Sequence, residues 1–201
     1  MRIRNQYSFA LLLACAVVST ASAVAQAPVQ PAASSEKHLR AELALDYTLL
    51  RSNAPPGGCS CFNLNGGSAT FAWPLKPASQ FALVGDLTAA HASGISSAGY
   101  DLLLSTYTVG ARYRPRLGHS PLEPFGQVLL GAAHTSGALV SGQTNAGAAF
   151  AANLGGGLDL RANQRFSFRL IEADYLVTTI DNGVNNHHNN LRISSGFVVR
   201  F

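Results

Sequence analysis

The chain has 201 residues, 47% of them hydrophobic but only 12% charged, with a formal net charge of +4 at pH 7. No Lys/Arg stripe or recognition motif is present, which argues against nucleic acid as a partner. No stretch reaches the about 18 consecutive apolar residues of a spanning helix, so a membrane could be crossed only by a closed barrel, whose backbone groups are all paired.

The first residues read as a secretory signal. Arg2 and Arg4 give the positive end, Phe9 to Val18 the apolar run, and Ala21-Ser22-Ala23 the small-residue cleavage pattern, placing 1–23 as signal peptide. Leu12-Leu13-Ala14-Cys15 has the outline of a lipoprotein box, but the apolar run continues past it. Removing Arg2 and Arg4 from the 14 basic residues leaves 12 against 10 acids, so the exported chain is near +2. Residues 24–38, rich in Ala, Pro, Ser and Gln, read as a disordered periplasmic lead-in. Residues 39–201 suit one domain.

From there the pattern has period two. Leu39, Ala41, Leu43, Leu45, Tyr47 and Leu49 alternate with Arg40, Glu42, Ala44, Asp46 and Thr48 in a first strand. A long loop is expected over Arg51–Gly66, then a strand Gly67–Leu75, a short link and a strand Gln80–Ala90. A second long loop, His91–Asp101, leads to a strand Leu102–Arg114, a moderate turn and a strand Leu122–His134. The facing of that fifth strand is ambiguous, because Gln127 shares parity with Phe125 and Leu129. A third long loop, Thr135–Ala146, precedes a strand Gly147–Leu160 and a short link.

In the seventh strand, Phe166–Thr178, the acids Glu172 and Asp174 fall on the apolar parity, which predicts a bulge near Ile171 that turns both inward. A last long loop, Thr179–Asn190, precedes the closing strand Leu191–Phe201. There Leu191, Ile193, Phe197, Val199 and Phe201 alternate with Arg192 and Arg200.

Eight strands, long and short links in alternation, and aromatics at their ends predict an all-β, eight-stranded antiparallel up-and-down transmembrane barrel in the cell outer membrane, with both termini periplasmic. Trp73, Phe81, Tyr113, Phe125, Phe166 and Phe201 are expected to form one interfacial girdle, with Tyr47, Tyr100, Phe150 and Tyr175 near the outer rim. A soluble sandwich or lipocalin-like barrel would also alternate, but would not explain the girdle or the low charge on one parity.

The chain's final residues resemble the C-terminal signature of bacterial outer-membrane barrels, which implies that Phe197, Val199 and Phe201 are the signal the barrel assembly machinery recognises. The layout resembles the small barrels of the OmpA transmembrane-domain and OmpX-like group. More narrowly, it resembles the "outer membrane beta-barrel" domain of acidobacterial type through Cys59–Ser68, Pro124–His134, Gly155–Arg161 and Glu172–Leu176. The resemblance implies outer-membrane lipid and lipopolysaccharide as surroundings, a monomer, and no cofactor. The sequence given holds no peptidoglycan-binding domain after the barrel.

Eight strands enclose a lumen that side chains fill. The candidates to fill it are Arg40, Glu42, Asp46, Asp86, Arg112, Arg114, Asp159, Arg161, Arg169, Glu172, Asp174, Arg192 and Arg200. Both signs are present, so a paired structural network is expected, with a narrow, low-conductance ion path as the alternative. Cys59 and Cys61 are disulfide candidates in an oxidising compartment. His187 and His188 lack further ligands for a metal.

His134 and Ser136, two apart and so on one face of a strand, resemble the His-x-Ser pair of the outer-membrane lipid A deacylase family. The resemblance implies His134 as base and Ser136 as nucleophile. Gly137 stands where that family has Asn, and the sixth strand offers only Asp159, at the wrong end, as an orienting acid. The expectation is therefore a non-enzymatic surface protein working through its outer loops, with a lipid-modifying hydrolase as the alternative.

Overall fold

A computed structural model describes residues 40–52, 61–95, 100–118, 120–137, 148–180 and 187–201. The signal and lead-in assignments lie outside these residues. The strands are β1 (Glu42–Ser52), β2 (Phe62–Pro74), β3 (Phe81–Ile95), β4 (Tyr100–Tyr113), β5 (Leu122–Gly137), β6 (Ala148–Arg161), β7 (Phe166–Thr178) and β8 (His188–Arg200). They form a closed barrel in sequence order, every neighbour antiparallel. Closure is made by β1 on β8, from Glu42 opposite Arg200 to Ser52 opposite Asn190.

The alternation sorts side chains as a membrane wall does. Leu45, Leu83, Leu87, Val109, Leu154 and Phe197 are all more than half exposed on the outside, while Asp46, Asp86, Arg112, Asp159, Arg169 and Arg192 are buried inside. A soluble barrel would reverse this arrangement, because water does not favour an apolar exterior band.

Several strands run further than the sequence suggests. β2 begins at Phe62 and β3 continues to Ile95, so residues expected in loops are paired wall. The expected contrast of long and short links is correspondingly weaker: β3 and β4 are separated by residues 96–99, whereas β4 and β5 are separated by 114–121. Composition misled here. Asn63, Asn65 and His91 are typical loop residues, yet they pair in a rim that stands beyond the apolar band.

The bulge in β7 is present. Arg169 pairs with Gly196 and Glu172 with Ser194, leaving one extra residue in β7. Leu170 and Ile171 are consecutive and both point outward, at 46% and 47% exposure. The parity then flips, so Arg169, Glu172 and Asp174 all face the lumen.

The fifth strand's facing is resolved inward for Phe125, Gln127 and Leu129, all buried. Phe125 is thus no part of the girdle. Trp73, Phe81, Tyr113, Phe166 and Phe201 do form an exposed aromatic ring around the end that carries the short turns. Phe81 stacks near Tyr113 at 5.0 Å, and Phe71 lies 6.4 Å from Phe201. At the other end, Tyr47, Phe150 and Tyr175 project outward, Tyr47 donating to Asn65 Oδ1 at 2.8 Å.

Candidate functional site

The lumen is layered. At the mouth beside the chain's end, Arg114 contacts Glu42 at 3.0 Å, Glu123 at 2.8 Å and Asp159 at 2.9 Å, and Arg200 pairs with Glu42 and Glu123. One level further in, Arg169 holds Asp46 at 3.0 Å, Asp159 at 3.1 Å and Glu172 at 2.7 Å. Arg192 holds Asp86 at 2.7 Å, Glu172 at 2.9 Å and Asp174 at 2.6 Å. Arg112 donates twice to Gln127 Oε1, and Gln127 Nε2 donates to Glu172 at 3.2 Å. Thr70 donates to Asp86 Oδ2, bringing in β2. The groups form one connected network to which all eight strands contribute.

Charge alone does not explain how these groups fit. Three guanidiniums, those of Arg112, Arg114 and Arg169, surround the Phe125 ring at 4.2, 5.5 and 4.8 Å. The ring face attracts each cation and spaces them from one another. Opposite Phe125 stands Gly157, where a Cβ would come within 2.7 Å of the ring. The glycine is the recess that lets an aromatic occupy a charged lumen.

Beyond a belt of hydroxyls, in which Thr48 bonds Ser68 and Ser194, the lumen becomes apolar. Leu50, Leu64, Ala90, Leu104, Ala133, Ala151 and Leu176 form a buried cluster with Ala92 and Leu102, drawn from β1 through β7. Phe62, Ile95 and Ile180 pack against it. This plug lies across the end away from the short turns.

The expected interior charges are thereby placed. Glu42, Asp46, Asp86, Arg112, Arg114, Asp159, Arg169, Glu172, Asp174, Arg192 and Arg200 do share the lumen. Two do not belong to its interior. Arg40 is exposed and donates to Gln164 in the β6–β7 turn, because it precedes the first paired residue of β1. Arg161 sits at the open rim, its side chain 42% exposed, and reaches Glu123 only from outside. Glu123 is a member that the sequence reading missed, since it lies at the start of a strand of ambiguous facing. The apolar plug was missed as well, because Leu64 lay in an expected loop.

His134 and Ser136 do share the outward face of β5, half-buried and exposed respectively. Their neighbours across the sheet are Ser105 and Leu103 on β4, with Ala148 opposite His134 on β6. Asp159 is no orienting acid for them. It is committed to Arg114 and Arg169, and the stretch of β6 from Ala148 to Asp159 is about 36 Å long at ~3.3 Å per residue.

Cys61 is exposed, and Cys59, its expected disulfide partner, lies outside the described residues. Among the described residues, no group of three or more His, Cys, Asp or Glu could hold a metal. Phe197 is outward and 61% exposed, 5.4 Å from Phe168, and Phe201 ends the aromatic ring.

A closed, sequential, eight-stranded antiparallel barrel with an apolar exterior and a side-chain-filled lumen defines the small transmembrane barrel class. The chain has the fold of the small outer-membrane barrels, the OmpA/OmpX-like type. The crystal structure of Neisserial surface protein A superposes with a TM-score of 0.62 at 15% identity, covering 80% of this chain and 97% of that one. Ail, the attachment invasion locus protein of Yersinia pestis, crystallised with the heparin analogue sucrose octasulfate, gives 0.55 at 16% identity, covering 81% and 99%. The outer membrane protein OprG of Pseudomonas aeruginosa gives 0.52 at 10% identity, covering 81% and 96%. No protein-family model matches the chain, and no curated protein matches it.

Proposed function

We propose that this chain is a non-enzymatic outer-membrane barrel, its termini and short turns in the periplasm, that acts through its outer end in envelope integrity, adhesion or ligand binding. The observation that carries this reading is the filled lumen. Among the described residues, salt bridges fill one half of the lumen and an apolar plug the other, which supports a working surface on the outside of the barrel. Ail, of the same fold, is by its name an attachment protein, which supports a surface role without assigning a ligand. The proposed surroundings are outer-membrane lipid and lipopolysaccharide. The proposed assembly signal is Phe197, Val199 and Phe201, read by the barrel assembly machinery, and the proposed state is a monomer.

The test has two arms. Purified protein in planar bilayers is expected to give no step conductance; reproducible steps lost on changing Arg112 or Asp159 would favour the narrow channel. Mass spectra of outer-membrane lipid from cells with and without the protein are expected to be identical. The second reading, a lipid-modifying hydrolase, is favoured by one observation: His134 and Ser136 share the lipid-facing side of β5 near the rim. An acyl change seen only with the protein and abolished by Ser136→Ala would establish that reading in place of ours.

A further inference from the structure

The two rims of the barrel differ in charge. At the end with the aromatic ring, Arg40, Lys76, Arg116, Arg161 and Arg165 are exposed. The acids described there, Glu42 and Glu123, are half-buried at the mouth and engaged by Arg114 and Arg200. Among the described residues of the opposite rim, exposed Arg51 is offset by exposed Asp101.

The cations follow the aromatics. Lys76 lies just past Trp73 in the β2–β3 turn, Arg116 just past Tyr113 in the β4–β5 turn, and Arg165 directly before Phe166 in the β6–β7 turn. None of these three forms an ion pair with a described acid. Aromatic belts settle at the headgroup level of a bilayer. A long cationic side chain one step beyond such a belt therefore lies at the phosphates, its stem along the interface and its charge in the headgroup layer. Between the turns a cavity of about 470 Å³ opens at the same level, lined by Arg40, Arg114, Arg161, Arg200 and the amides Asn163 and Gln164, with the carboxylates of Glu42 and Glu123 in its wall already paired to Arg114 and Arg200. It adds hydrogen-bond donors to the rim's charge.

We infer that this rim is a binding surface for anionic phospholipid headgroups, with Lys76, Arg116 and Arg165 as its three lipid-facing contacts. The inference rests on the reading of the chain as membrane-inserted. It adds a partner to the end of the barrel opposite the proposed working surface.

The test uses the full chain refolded into vesicles of mixed phosphatidylglycerol and phosphatidylcholine, extracted gently and examined by native mass spectrometry. Wild-type protein is expected to retain phosphatidylglycerol over phosphatidylcholine, and raising the salt should erase the preference. Retention should fall about fivefold for each cation removed, in K76Q, R116Q and R165Q singly and then together. Equal retention of the two lipids by wild type, or a preference unchanged in the triple variant, overturns the inference. So does displacement of phosphatidylglycerol by inorganic phosphate at matched concentration, which would mark a free-anion site instead. If the triple variant fails to fold, the single variants give the same reading, since each removes one exposed turn cation. Wild type that inserts but shows no preference defeats this inference alone. Failure to insert into either lipid defeats the membrane reading as well.

Discussion

Between Glu42 and Arg192 the lumen is held by charge; between Leu50 and Leu102 it is held by methyl groups. The same eight strands build both halves, with the same inward parity. The ionic half depends on cross-strand partners. Glu172 is bound by Arg169 and Arg192, Asp159 by Arg114 and Arg169, and Asp86 and Asp174 both by Arg192, so removing Arg192 leaves buried carboxylates without their counter-charge. The apolar half has no such dependence. Each leucine contributes its own burial, and loss of one leaves a hole but no stranded charge. A filled eight-stranded barrel thus combines a specific half, which fixes register, with a permissive half, which excludes water.

Three changes would break or sharpen that contrast, the strongest first. Deleting Leu170 removes the extra residue of the bulge, so either Arg169 or the pair Glu172 and Asp174 must point outward. An arginine on the lipid face costs about 2–4 kcal/mol near the midplane, and its lumen partners lose their pairing too. No folded barrel is expected, read as loss of the heat-modifiable gel band. Next, Arg192→Met leaves Asp86, Glu172 and Asp174 without their shared cation. Urea unfolding in vesicles should show a loss of about 3–5 kcal/mol. Arg192→Lys should recover part of it, because a single ammonium cannot match the guanidinium's fork. Smallest is Leu64→Ala in the plug, with an expected loss of about 2–4 kcal/mol and a register unchanged by cross-linking across β1 and β2. If Leu64→Ala cost more than Arg192→Met, the division of labour between the halves would be wrong.

How much of this could be read in the sequence depended on distance along the chain. The alternation of Leu45, Tyr47, Asp46 and Thr48, or of Phe197 and Arg200, is local and declares both strand and facing. Even the β7 bulge was legible, because two acids on an apolar parity admit few explanations in a membrane wall. Phe125 was not. Whether a ring points inward depends on Gly157 on the next strand and on arginines from β4 and β7, none of them near it in sequence. Glu123 was hidden for the same reason. The candidate catalytic pair was legible as a pair, since two residues on one strand face alike. The position of Asp159 relative to it became a measurable length only once the register of β5 on β6 was known.

The seam between β1 and β8 has a consequence for how the molecule is made. Glu42 lies opposite Arg200 and bonds it across 158 residues of chain, and Arg169 reaches Asp46 across 123. These are contacts between the start and finish of the domain, so they are the costliest in loop-closure entropy and the last available to a growing polypeptide. A chain halted before β8 would hold two unpaired strand edges, one on β1 and one on β7. It would also lack the arginine that neutralises Asp86, Glu172 and Asp174. Edge pairing and charge neutralisation are therefore completed by a single strand. Proofreading falls to the last piece added: a barrel that closes with β8 out of register fails on its hydrogen bonds and its ion pairs together.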